Sequence, residues 1–486
     1  MTQLPIINLK PIKIDPLISA ILVIRPDAIG DVVLTLPVLN SLKSQYPNAK
    51  IVLWTQKAYR PLLENHPAID EIINASLPKE PTLSDISDAA KLLRPYQFDM
   101  AVLPYLSIPL SIMVTLADIH IRIGDKAQLL PGLLMNEGRF LNYRDISKHV
   151  ITQNLSLISE YILPENMTEK MDLYTTEEGD EKLAQKLQVQ NYQNQPLIMI
   201  QPCTGGSDMQ WPIQGYISVI NAIHQLTPYH VILTGAGPNE EEIISKIKLA
   251  CTKTPYTLTG FGTLPELKSL IKKAKVVIGT NTGPLHMAAA LGTPVISLFP
   301  SKFIKPTVWG PWKVPHRIVR NTTLCHSICR AGQCHAKCQN LITSQDIIEA
   351  LQSLLSEVGG DTPHDWYVKS GLPLLLIQKS DNIHSIQQAI SKLSHFPKVI
   401  IAQWGQSSII QKTISENYPN TQFIGLPRYR PILSAKRIAE EDIIEIHSAS
   451  PIPRFSFLIL KLIRQLSGLY HYAPPSLHLS ASTESM

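Results

Sequence analysis

The chain has 486 residues, 44% of them hydrophobic and 17% charged, so it can bury large cores and is too long for one of them; two or three domains are expected. A formal charge of +5 carried by scattered Lys and Arg residues is no nucleic-acid footprint, and it suits an anionic membrane surface or phosphorylated substrates only weakly. No basic leader with an apolar run opens the chain, and no window holds the roughly 18–20 uninterrupted apolar residues of a spanning helix; a cytoplasmic protein is expected.

In chain order, residues 20–24 (Ala-Ile-Leu-Val-Ile) read as a buried strand, 29–46 as a helix and 49–54 as the next strand. Residues 100–103 follow a long helical stretch, and 119–123 end this series. Runs buried on both faces imply a parallel sheet covered by helices. A helical bridge over 148–163 leads into a polar stretch, 175–195, read as the domain break. A second series follows at 196–200, 231–234, 276–278 and 295–298. A third occupies 373–377, 399–401, 423–424 and 443–446. The predicted fold is therefore α/β, with doubly wound domains at 1–175 and 176–357, an additional α/β lobe at 358–472 and a disordered tail at 473–486. No sequence repeat is evident. In the lobe, residues 455–470 place Lys461, Arg464, Gln465 and Gly468 on one narrow stripe, which fits a core helix better than one lying on a membrane.

Four segments carry chemistry. Arg25-Pro-Asp-Ala-Ile-Gly-Asp31 follows the first strand and opens the first helix. Gly30 permits close backbone approach, and Asp31 sits where N-terminal amides favour a charged carboxylate, either as a helix cap or as a general base facing a cleft. Thr204-Gly-Gly-Ser207 follows the strand at 196–200 and offers amides and hydroxyls to phosphate oxygens, with Trp211-Pro212 starting the next helix. Gly235-Ala-Gly-Pro-Asn-Glu240 is a Gly-rich turn whose Glu240 could hold a ribose diol or simply favour a helix N-terminus. Asn281-Thr-Gly-Pro-Leu-His286 is a strand-to-helix turn, and the first orphan amides at Thr282 and Gly283 form a natural anion site.

Taken together, these segments resemble the bacterial heptosyltransferase family of glycosyltransferases (glycosyltransferase family 9), which build the lipopolysaccharide core. The resemblance runs over roughly residues 18–355: the Arg-to-Gly-Asp-to-Pro segment at 25–37, the loop ending in Trp211-Pro212, and the Thr-Gly-Pro-x-His block at 282–286. Phe98-Asp99, Arg122-Ile-Gly124 and the helix from Lys148 fall in family order. It implies a GT-B fold of two facing Rossmann-like domains and sugar transfer with inversion, using no metal and no cofactor. It implies a nucleotide-diphosphate sugar donor, ADP-heptose foremost, and a lipid-linked or lipopolysaccharide-core glycan acceptor, with peripheral contact at the inner membrane surface. Asp31 would be the base. Thr204, Ser207, Asn281, Thr282 and Gly283 would meet the diphosphate, Glu240 the ribose, and His286 the donor or the helix it stands on. Arg25 and Arg122 would bind the acceptor.

Three departures qualify that picture. The family usually has a Lys before the Trp-Pro pair, where this chain has Met209 and Gln210. Losing such a charge-assisted contact removes roughly 1.5–3 kcal/mol; Lys302 or Lys305 could replace it. Asn281 stands where an Asp is common, and the third lobe has no counterpart in the resemblance. These point to a shifted donor or acceptor, or to a non-catalytic nucleotide-sugar-binding or scaffolding protein. A dinucleotide oxidoreductase is not supported, since no G-x-G-x-x-G follows the first strand. Cys325, Cys329, Cys334 and Cys338 have spacing that could hold a structural zinc, but the short gap between the pairs favours reduced thiols; Cys203 and Cys251 are isolated.

Overall fold

A computed structural model describes residues 13, 17–74, 77–141, 146–206, 208–259, 263–301, 303–321 and 338–357, and beyond these the backbone of five C-terminal strands. The first sheet is built from β1 (Ala20–Ile24), β2 (Lys50–Thr55), β3 (Glu71–Asn74), β4 (Met100–Val102), β5 (Ile121–Asp125) and β6 (Glu137–Arg139), in the order β3-β2-β1-β4-β5-β6. The second contains β7 (Leu197–Gln201), β8 (His230–Thr234), β9 (Tyr256–Leu258), β10 (Val276–Thr280), β11 (Val295–Leu298) and β12 (His316–Val319), in the order β12-β11-β10-β7-β8-β9. The third holds β13 (Leu372–Ile377), β14 (Val399–Trp404), β15 (Thr421–Leu426), β16 (Ile443–Ser448) and β17 (Ser476–Leu477), in the order β15-β14-β13-β16-β17. Every pairing is parallel. All three sheets thus start in the middle, run outward one way and then reverse, although no sequence repeat announces it. The reversal leaves a crevice at the carboxyl ends of β1 and β4 and of β7 and β10, where ligands bind in such sheets.

Several elements differ from the sequence reading, each for a local reason. The helix expected over 29–46 is two helices, Ile29–Val33 and Leu36–Gln45. Pro37, in the first turn of the second, has no N–H to continue the first. The short strands β3, β6, β9 and β12 were not anticipated, being too brief or too polar to give an apolar run. The polar stretch at 175–195 contains a helix, Glu177–Val189. Thr176 caps it by accepting from Gly179 N at 3.2 Å, and Glu177, Glu178 and Asp180 suit its N-terminal dipole. Ser476–Leu477 pairs with β16, so the tail expected to be disordered supplies an edge strand. Residues 455–470 lie outside the described residues.

The first two domains are joined by dry contacts as well as by the chain. One hydrophobic cluster includes Ile21 and Val23 of β1, Leu197 of β7 and Val277 of β10. The fully buried Lys268 ammonium donates to the Leu62 carbonyl of the first domain at 3.0 Å. His149 stacks on Trp312, with ring centroids 4.4 Å apart, and its Nε2 lies 3.0 Å from the Gly310 carbonyl. Among the described residues no helix is long and apolar enough to cross a membrane.

Candidate active site

Between the two domains lies a cavity of about 660 Å³. Ala28, Ile29, Gly30, Asp31, Leu34 and Tyr59 form its first wall, all from segments that follow β1 and β2. The second wall comes from the loops after β7, β8 and β10: Gln201, Cys203, Thr204 and Gly205, then Gly235, Ala236 and Glu240, then Asn281, Thr282, Gly283 and His286. Leu258, Leu264, Leu267, Ile304 and Trp309 supply apolar surface. A smaller cavity of about 430 Å³ adjoins it, running past Thr204–Gly206 and Ala236–Glu240 to Gln210.

Two helix N-termini meet at the centre. A Cβ on Gly283 would stand 2.1 Å from Ile29 Cγ2, and one on Gly30 would stand 3.4 Å from the Gly283 Cα. A methyl at Gly283 would have to displace the Ile29 side chain, and one at Gly30 would press on His286 Cδ2 at 2.9 Å. Asp31 therefore stands beside the start of the helix Gly283–Ala290, whose first amides have no partner within their own helix. At the same end Thr282 Oγ1 and His286 Nδ1 are buried and make no hydrogen bond to protein. Burial pushes His286 down to about 4, with Asp31 pulling the other way, so the imidazole is neutral near pH 7. Gln201 and Thr234 brace the crevice from below through a 2.6 Å bond between Thr234 Oγ1 and Gln201 Oε1.

Arg25 does not reach the cavity. Buried at the end of β1, it pairs through Nη2 with Asp31 and through Nε with Asp27 at 2.8 Å. Its guanidinium, expected to bind acceptor, is here held against two carboxylates. Desolvation raises Asp27 to about 6, Arg25 opposing and Asp31 adding to the rise. Arg122, also expected at the acceptor, does not line the cavity and donates to the carbonyls of Leu134 at 3.0 Å and Ile119 at 2.7 Å. Glu240 lines both cavities and accepts from Ala236 N at 2.8 Å, which leaves its other oxygen for a ligand. Gln210 donates to the Pro202 carbonyl and closes the neck of the loop. Lys305 is buried between Ile304 and the short helix that carries Trp309.

Ser207 and Lys302 lie outside the described residues, as do Cys325, Cys329 and Cys334 and the side chain of Cys338. Among the described residues no group of His, Cys, Asp and Glu is arranged to hold a metal ion. The sequence reading missed Tyr59, Trp309 and the leucines of the apolar wall. No motif marks them; Tyr59 and Trp309 could have been found only by asking which aromatic residues follow a strand end.

A sequence model of glycosyltransferase family 9 (heptosyltransferase) matches residues 86–340, more than half of the chain. The chain belongs to this family. It is a glycosyltransferase, with the two-domain GT-B architecture. Among curated relatives, it is 28% identical over 351 residues to lipopolysaccharide heptosyltransferase 3 of Escherichia coli strain K12, covering 68% of this chain and 96% of the relative. It is 28% identical over 360 residues to lipopolysaccharide heptosyltransferase 2 of Salmonella typhimurium, covering 70% and 99%. Solved structures agree on the fold. A family 9 glycosyltransferase from Veillonella parvula superposes with a TM-score of 0.61 at 18% identity, over 72% of this chain and all of the other. The ADP-heptose lipopolysaccharide heptosyltransferase II of E. coli gives 0.57 at 22% identity, over 70% of this chain and all of the other.

Proposed function

We propose that this family 9 enzyme transfers a heptose from ADP-heptose to a hydroxyl of a lipid-linked lipopolysaccharide-core glycan, with inversion at the anomeric carbon. One observation carries the reading: a single cavity brings the Asp31 carboxylate against a helix N-terminus at which Thr282 Oγ1 and His286 Nδ1 have no protein partner. Asp31 takes the proton of the acceptor hydroxyl as its oxygen bonds to the anomeric carbon. The bond from that carbon to the diphosphate oxygen breaks on the opposite face, and the electron pair leaves with the ADP. The growing charge falls on the amides of Thr282 and Gly283 and on the hydroxyls of Thr204 and Thr282, with Asn281 at the turn. Arg25 keeps Asp31 aimed through their ion pair, and neutral His286 adds a polar contact without competing for the proton. Glu240 takes the ribose diol, and the leucine wall takes the base. In this reading residues 1–175 receive the acceptor and 176–357 the donor, with Ser207 and Lys302 as additional phosphate contacts.

The test combines purified full-length enzyme, core acceptor and a panel of nucleotide-diphosphate sugars, with the product's anomeric configuration read by NMR. Turnover with ADP-heptose and inverted product is expected. Asp31→Asn should lower kcat by about 10²–10⁴ while ADP binding changes little. Turnover only with another nucleotide sugar, or retained configuration, would overturn the reading of donor or mechanism respectively. Undiminished turnover by the Asn variant would remove Asp31 as the base.

A further inference from the structure

We propose that Asp27 is a positioning residue for the transfer: by occupying Arg25 Nε it keeps the Arg25–Asp31 pair to one nitrogen and one oxygen, and so leaves Asp31 Oδ2 to the acceptor hydroxyl. This deepens the reading above and rests on it in one respect, the role of Asp31 as the base. Asp27 does not line the cavity, so it acts only through Arg25. Arg25 has nowhere else to go. It is buried at the carboxyl end of β1, and its main chain is tied to β2: its N–H donates to the Trp54 carbonyl at 3.0 Å, and its carbonyl accepts from Thr55 Oγ1 at 2.7 Å. Its guanidinium meets Asp27 through Nε at 2.8 Å and Asp31 through Nη2. The contact with Asp31 uses Oδ1 alone, and among the described residues Oδ2 of that carboxylate has no hydrogen-bond or ion-pair partner. Arginine and a carboxylate ordinarily favour two parallel bonds. Nε and Nη2 share the edge of the guanidinium that such a fork would use, and Asp27 takes half of it.

The turn that carries Asp27 is itself braced. Gln56 Nε2 donates to the carbonyls of Pro26 at 2.6 Å and Asp27 at 3.2 Å, and the Tyr59 hydroxyl donates to the Asp27 carbonyl at 3.4 Å. The segment after β2 thus sets where the carboxylate stands. Charge sets when the arrangement holds. The groups facing Asp27 are Arg25 at the end of β1, Asp31 on the first helix and Tyr59 after β2, while His286 of the opposite domain faces Asp31. Desolvation raises Asp27 to about 6, with Arg25 opposing, so its carboxylate is mostly ionised near pH 7 and takes a proton as pH falls through that value. A neutral Asp27 holds Nε less strongly, because the bond loses its charge on one side. A buried guanidinium left short of an acceptor is costly. It then turns to the open oxygen of Asp31, and transfer slows because the acceptor hydroxyl has lost its place.

Full-length enzyme, ADP-heptose and core acceptor test this between about pH 5 and 8, with Asp27→Asn as the near-isosteric variant. Near pH 8 the variant should lose about 10- to 100-fold in kcat, the scale for a reacting group misplaced by about 1 Å, while ADP affinity changes by less than about twofold. Its Tm there should hold or rise, since a desolvated charge is removed. The ratio of wild-type to variant kcat should fall toward one as pH drops through about 6, because the titration of donor, acceptor and every other group is common to both proteins. Crystals of the wild type near pH 5, and of the variant at either pH, should show Arg25 on both oxygens of Asp31. A ratio that does not change with pH overturns the proposal, as does Arg25 remaining on Oδ1 alone in the variant. Undiminished turnover by Asp31→Asn would overturn the base on which the proposal stands. An inactive Asp31→Asn beside a fully active Asp27→Asn would overturn the role of Asp27 alone.

Discussion

Gly30 lies so close to His286 of the opposite domain that a Cβ built on it would stand 2.9 Å from the imidazole Cδ2. Asp31, its neighbour in the chain, is thereby set at the N-terminal end of a helix from the other domain. Gly30→Ala should push the two helix starts apart, lowering kcat/KM more than about tenfold and stability by about 1–3 kcal/mol. Gly283→Ala should behave alike, because its methyl group meets Ile29 Cγ2. Adding Ile29→Ala to Gly283→Ala should recover most of the lost Tm. Failure of that rescue in calorimetry would show that the close approach is not what demands glycine.

Thr282→Val offers a cleaner probe of the proposed leaving-group end. The hydroxyl is buried and bonds to nothing in the protein, and valine has nearly the same shape. The Tm should hold or rise slightly, since no internal hydrogen bond is lost. Affinity for ADP should fall about tenfold, the usual scale for one hydrogen bond to a charged group. Calorimetric titration checks it, and unchanged affinity would remove Thr282 from the diphosphate contacts.

Acid stability should report on His286. Its folded value of about 4 lies below the ordinary 6.5, so the unfolded chain binds the extra proton first and stability is lost as pH falls between these values. His149, held near 3 by burial, acts in the same direction. Asp27 acts oppositely: raised from 3.8 to about 6, it contributes fully below the first value and loses that contribution as pH rises through the second. His286→Gln should therefore flatten the decline in unfolding free energy between pH 6.5 and 4 by about 3 kcal/mol, read from urea melts at stepped pH.

Alkaline conditions isolate Lys268. Burial lowers its ammonium from 10.5 to about 8, so the wild type gains stability as pH rises between those values. Lys268→Met lacks that gain and leaves the Leu62 carbonyl without its donor. Across this window the difference in unfolding free energy should move by about 3 kcal/mol in favour of the wild type. Parallel curves for the two proteins would show that the lysine keeps its ordinary acidity in the fold.

The sequence by itself determined the long buried strands, because runs such as Ile-Leu-Val-Ile at 21–24 have only a sheet interior to occupy. It also determined the turns that follow them, since glycine and threonine after a strand leave helix amides exposed. Asp31, Thr282 and Gly283 were legible for that reason. Strands as short as β6 and β9, and the capped helix Glu177–Val189, lack an apolar period and were not. Only the tertiary structure decided how Arg25 is used. Its residue type fits an acceptor contact as well as an internal clamp, and the choice depends on how the turn after β1 brings Asp27 and Asp31, only two and six residues on, back against it. Tyr59, Trp309 and Lys268 were settled by contacts at longer range. Each acts on a residue or wall far away in the chain, and no local pattern encodes a distance that arises when two separate sheets close on one another.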